Sequence, residues 1–156
     1  MKKIIFLCLS AIFSTGIFAT PLPAAPGDAT AKILKVFHIN FPEISNHTIF
    51  KTGDIYMVSF KNEKENSSYK LFYDSDGNVL QTLKYYSEEQ LSPFIRSKVQ
   101  RKYHGKNVMN VTELINDNEH FYQLILTDNK SLLVVHCDDN GLLYTEKKFK
   151  KANKGV

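Results

Sequence analysis

A chain of 156 residues has room for one domain, or for two very small ones sharing a core. With 43% hydrophobic and 23% charged residues it is composed like a folded globular protein, which argues against a disordered tract. The formal charge of +4 falls to +2 once Lys2 and Lys3 of the amino-terminal leader are set aside, and a chain so nearly balanced lacks the strongly basic face of a nucleic-acid binder.

Lys2 and Lys3 precede an apolar run from Ile4 to Phe18, followed by small residues. This is the three-part pattern of a secretory signal peptide, expected to span residues 1–19 with cleavage after Ala19, or alternatively after Ala25. The run is too short for a comfortable membrane span. A periplasmic or secreted protein with no stable membrane span after cleavage is therefore expected. Cys8 would leave with the leader, so Cys137 would be the only thiol and no intramolecular disulfide could form. Residues 20–27, rich in proline, read as an extended linker.

Asp28 offers an N-cap, and Ile33, Phe37 and Phe41 recur at fourfold spacing beside Leu34, which predicts a helix from about Ala29 to Phe41 that Pro42 stops. The period then changes to two. Strands are expected at Ile44 to Lys51, Ile55 to Asn62, Tyr69 to Asp74 and Asn78 to Tyr86. The last two form a hairpin whose turn, Ser75-Asp76-Gly77, puts glycine where a type I turn with a bulge needs positive φ.

A second helix opens with Ser92 as N-cap and Pro93 at the first helical position. Ile95, Val99 and Tyr103 make its apolar stripe, with Phe94 beside them, and Gly105 closes it. Strands follow at Asn107 to Ile115, His120 to Leu126, Ser131 to Cys137 and Leu142 to Phe149, separated by turn formers.

Asp74 and Gly77 recur as Asp138 and Gly141, both at a separation of 64 residues. That internal repeat predicts an α+β fold of two tandem helix-plus-four-stranded antiparallel units, 28–86 and 87–150, forming one sheet with the helices on one face. Residues 151–156 would be a basic tail. The cluster Lys147, Lys148, Lys150, Lys151 and Lys154 reads as a solvated chain end, with attraction to a membrane surface as the lesser alternative.

Pairing Asp74 with Asn78 assigns every residue of that hairpin to a side. Tyr69, Leu71, Tyr73, Val79 and Leu83 go under the helix. Lys70, Phe72, Leu80, Thr82 and Lys84 go to the open side. Transfer by 64 residues sends Leu133, Val135, Cys137 and Leu143 inside and Val134, His136, Tyr144, Glu146 and Lys148 out. Met57, Gln123 and Ile125 join the open side by the same alternation. Met57, Phe72, Leu80, Gln123, Ile125, Val134, His136 and Tyr144 are thus the expected helix-free face, with the aromatic and Met anchors among polar neighbours that suit a protein partner.

The arrangement resembles the PepSY-like family of exported bacterial proteins, described as beta-lactamase-inhibitor-like. The resemblance rests on Phe41-Pro42, Tyr56-x-Val58-x-Phe60, Tyr73-Asp74-x-Asp76-Gly77-Asn78, Leu91-Ser92-Pro93 and the Asp138 to Gly141 turn, and covers about residues 28–150. It implies a binding or inhibitory module acting on an exported or envelope protein, and not an enzyme. A scaffolding domain without a specific ligand is the main alternative, and a hydrolase using Cys137 and His136 the lesser one.

No cofactor or metal is expected. Asp74-x-Asp76-Gly77-Asn78 is a fragment of a calcium loop, but its twelfth position is Tyr85 where a bidentate Glu is needed. His38, His47, His104, His120 and His136 lack zinc-ligand spacing. His136 and Cys137, adjacent on a strand, should point to opposite faces.

Overall fold

The computed structural model describes residues 27–152. The leader expected over 1–19 and its cleavage site fall outside them. Helix α1 spans Asp28–Asn40, and strands β1 to β4 span His47–Thr52, Ile55–Asn62, Ser67–Tyr73 and Val79–Tyr86. A 3-10 turn at Glu88–Gln90 leads into α2, Pro93–Lys102. Strands β5 to β8 are Asn107–Ile115, His120–Thr127, Ser131–Asp138 and Leu143–Lys150. The eight strands form one open antiparallel sheet in sequence order, β1 to β8.

The local signals act where the sequence placed them, with one shift. Ser92 caps α2 by accepting from the Ile95 N–H at 3.3 Å, and Pro93 occupies the first turn. In α1 the cap position is taken by Gly27, not by Asp28 as expected, so that helix starts one residue early. Gly77 (φ +85°) and Gly141 (φ +75°) sit in the left-handed region that the two turns require. Their hydrogen bonds correspond one for one. Asp74 N–H donates to Asn78 O and Gly77 N–H to Asp74 O, and Asp138 N–H donates to Leu142 O and Gly141 N–H to Asp138 O.

Both helices pack on the same side. Ile33 and Phe37 of α1 bury against Tyr56, Val58, Phe60, Tyr69, Leu71 and Tyr73. Ile95 and Val99 of α2 bury against Val111, Leu124, Leu126, Leu133, Val135, Cys137 and Leu143. The registers run Tyr69, Lys84, Glu113, Tyr122 and Cys137 in one row across the sheet, which puts the two clusters on one face. Each fully buried Phe, Leu or Ile contributes roughly 1.5–3 kcal/mol of transfer free energy. Between the clusters the row is polar. Lys84 pairs with Glu65 at 3.0 Å and lies over the rings of Tyr69 and Tyr86, and His120 Nε2 pairs with Glu113 at 2.7 Å.

Three bulges modify the alternation. They fall between Phe72 and Tyr73 against β4, between Val108 and Asn110 in β5, and between Val134 and Val135 against β8. Each inserts an unpaired residue, and beyond it the strand presents its other set of side chains. The β4 bulge reverses part of the expected assignment. Leu83 pairs with Lys70 and takes the open side, whereas Thr82 and Lys84 pair with Leu71 and Tyr69 on the helix side. The β8 bulge does the same to Lys148, which pairs with Leu133 on the helix side and leaves Lys147 opposite Val134. Phe94, expected beside the stripe of α2, is half exposed and lies over Gly141.

Candidate protein-binding face

The registers assemble the helix-free face row by row. Phe50, Met57, Phe72 and Gln81 stand in line across β1 to β4. Lys70, Leu83, Leu114 and Phe121 form the next row, from β3 to β6. Tyr85, Thr112, Gln123, His136 and Tyr144 form the third, from β4 to β8, and Asn110, Ile125, Val134 and Lys147 the fourth. The apolar members are half-buried by one another, apart from Tyr144, which is 56% exposed. No described helix packs on this side.

At the centre lies a hollow of about 270 Å³, lined by Gln81, Leu83, Tyr85, Thr112, Leu114, Phe121, Gln123 and His136. One wall is an aromatic ladder. The His136 ring stacks on Phe121 (centroids 5.3 Å apart) and on Tyr144 (5.1 Å). Its Nε2–H donates to Glu146 Oε2 at 2.8 Å, and Gln123 Nε2 lies 3.4 Å from the same nitrogen. The hydrogen bond from His136 holds the Glu146 carboxyl below the usual carboxylate range. On the other side Lys70 Nζ stands 5.7 Å over the Tyr85 ring, and burial pushes the Tyr85 phenol up. The surface combines flat aromatic and aliphatic area with a few fixed polar groups, the composition that favours contact with another protein.

The structure brings seven of the eight expected face residues onto this side. Met57 and Phe72 are opposite one another, Gln123 faces His136, Ile125 faces Val134, and His136 faces Tyr144. Leu80 is the residue left unpaired by the β4 bulge, so the register assigns it no row, and it is 43% exposed. Sequence reasoning missed the middle of the face, namely Gln81, Leu83, Tyr85, Thr112, Leu114 and Phe121. Phe121 was within reach, because it shares the phase of Gln123 and Ile125. Leu114 follows from pairing Ile115 with His120 across the Asn116 to Glu119 turn.

The other chemistries considered from the sequence find no assembled site. Cys137 is fully buried on the helix side, where burial pushes its thiol up to about 11, whereas His136 projects to the opposite face. A thiolate-imidazole pair cannot form from them. Both Asp74 carboxylate oxygens are occupied within the turn: Oδ1 accepts from the N–H groups of Asp76 and Asn78, and Oδ2 from the Asn78 amide. Asp76 pairs with Lys32 at 3.1 Å. Among the described residues no three His, Cys, Asp or Glu side chains converge to hold a metal ion, and no helix is long and apolar enough to cross a membrane.

No protein-family model matches this sequence, and neither does any curated protein. Solved structures do match in fold. A BLIP-like protein from Bacteroides fragilis shares 17% identity over 85% of this chain and 93% of its own, with a TM-score of 0.64. A DUF2874 family protein from Bacteroides ovatus matches at 13% identity over 81% of this chain and 89% of its own, with a TM-score of 0.62. A protein from Bacteroides eggerthii described as periplasmic matches at 8% identity over 81% and 90%, also with a TM-score of 0.62. The chain therefore has a BLIP-like fold. The PepSY name expected from the sequence rests on the sequence motifs alone.

Proposed function

We propose that this protein is an exported, non-enzymatic binding module that holds another envelope protein, in an inhibitory role, against the helix-free face of its sheet. The observation that carries the reading is the continuous aromatic and aliphatic band from Met57 and Phe72 through Leu83, Leu114 and Phe121 to Tyr144, which no described element covers. Contiguous apolar patches of this kind mark interaction sites more often than scattered exposed side chains do. A periplasmic setting is supported by the leader pattern and by the description of the Bacteroides eggerthii neighbour. Two tandem units, 28–86 and 87–150, are the framework we assign, supported by the matching turns 64 residues apart and by one core cluster under each helix.

Quantitative capture of envelope proteins on immobilised protein, compared with Phe72→Asp and Tyr144→Asp variants, tests this reading. A charge at either end of the band should reduce recovery of the specific partner at least tenfold, because a desolvated anchor contributes about 2 kcal/mol or more. Equal recovery by both variants removes the face from consideration.

A further inference from the structure

Of the lysines that cluster late in the sequence, Lys147, Lys148 and Lys150 belong to β8 and Lys151 follows it directly, whereas Lys154 lies outside the described residues. Lys148 and Lys150 lie in β8, opposite Leu133 and Ser131 on the helix side. There they meet Lys106, from the connection between α2 and β5, Lys130 from the β6–β7 turn, and Lys151. With Asp128 and Ser131 these five lysines line a hollow of about 630 Å³. One corner of it is fixed. Asp128 Oδ1 accepts from the backbone N–H groups of Lys130 (2.8 Å) and Ser131 (2.7 Å), and its other oxygen holds the ammonium of Lys106, which also donates to Ser131 Oγ at 2.8 Å. Lys151 Nζ donates to the Asp128 carbonyl at 2.7 Å. Lys130, Lys148 and Lys150 have no carboxylate partner among the described residues.

Five ammonium groups thus share one carboxylate, and four positive charges are left around a single concavity. Like charges around one hollow repel one another, and a counter-anion bound among them offsets that repulsion. We propose that this hollow binds a compact polyanion bearing two or more phosphoryl groups, either free in solution or carried on a lipid headgroup. Its size is within the range of small-ligand sites. Its lining points to phosphoryl oxygens. Lysine ammoniums are point-charge donors suited to tetrahedral oxyanions, and the hollow holds no guanidinium to fork onto a planar carboxylate and no aromatic ring to stack on a base. The site is on the helix side of the sheet, so it is independent of the protein-docking face.

The test is an amide NMR titration of the purified protein with sodium tripolyphosphate, run beside co-sedimentation with phosphatidylcholine vesicles containing cardiolipin, whose headgroup carries two phosphates. Binding should shift the amides of Lys130, Ser131 and Lys150, weaken with added salt, and fall roughly fivefold for each of Lys148→Gln and Lys150→Gln. Both side chains are exposed, so the variants should melt as the parent does. Response to tripolyphosphate identifies a free polyanion, and response to the vesicles alone identifies a headgroup. The proposal is overturned by silence in both arms, by undiminished binding in the Lys148→Glu/Lys150→Glu double variant, or by a glutamate-rich peptide binding as tightly as tripolyphosphate.

Discussion

Tyr73 is fully buried at the centre of the α1 cluster, and its hydroxyl has no hydrogen-bond partner. An unsatisfied buried hydroxyl costs free energy that a phenyl ring of the same shape avoids. Tyr73→Phe should therefore raise stability by about 1 kcal/mol in urea unfolding, against the usual direction of core substitutions. The same burial pushes the Tyr73 phenol up to about 12, as it does that of Tyr122, and the Cys137 thiol up to about 11. Each group keeps its proton longer in the folded state than in the unfolded one. Their stabilisation is complete below the unfolded values, about 8.5 for Cys and 10 for Tyr, and is lost as pH rises through the folded ones. Melting temperature should fall steeply between about pH 9 and 12, and less steeply in Tyr73→Phe. A flat profile across that interval would contradict the burial of these groups. The core positions of Tyr73 and Cys137 were readable from alternation. The stranded hydroxyl was not, because it depends on what neighbouring strands fail to offer.

At the level of elements, the two matching turns differ in their surroundings. A Cβ at Gly77 would stand 3.6 Å from Val36 Cγ2, an ordinary contact, whereas one at Gly141 would stand 3.1 Å from Phe94 Cε1 and 3.2 Å from Lys98 Cγ. Both substitutions to alanine pay for positive φ, about 1 kcal/mol. Gly141→Ala should cost about 1 kcal/mol more, and the excess should shrink in a Phe94→Ala background, as a double-mutant cycle by chemical denaturation would reveal. The turns, both helices and all eight strands were legible, since periodicity and Asp/Asn/Gly punctuation are local. The bulges were not. Nothing in Val79-Leu80-Gln81 declares that one residue will go unpaired, so strict alternation put Leu83 in the core and Lys84 outside, the reverse of what is found. Gln81, Leu83 and Tyr85, at the centre of the helix-free face, went unread for the same reason.

For the molecule as a whole, the polar row through Lys84 and Glu113 separates two hydrophobic clusters while strand pairing of β4 with β5 continues across it. Neither cluster is large enough to lose its neighbour cheaply. About 65 residues bury only around 60% of their unfolded surface, and a free β4 would add an unpaired edge. A fragment of residues 27–91 should give a poorly dispersed amide spectrum, whereas the whole chain should unfold in a single transition. An independently folded fragment would show instead that the row is a boundary. The face itself was legible in outline because both halves of the chain predicted which side the helices would cover. The basic hollow was not, since it gathers residues from three separate segments.

The sheet is a pure meander, each strand lying beside its neighbour in sequence. Ring closure is consequently short at every step except between β4 and β5, where the chain passes through the 3-10 turn and α2 before the two strands pair. Nucleation can begin at any hairpin and propagate outward by zipping, on roughly a millisecond timescale, which is brisk for a molecule so rich in strand.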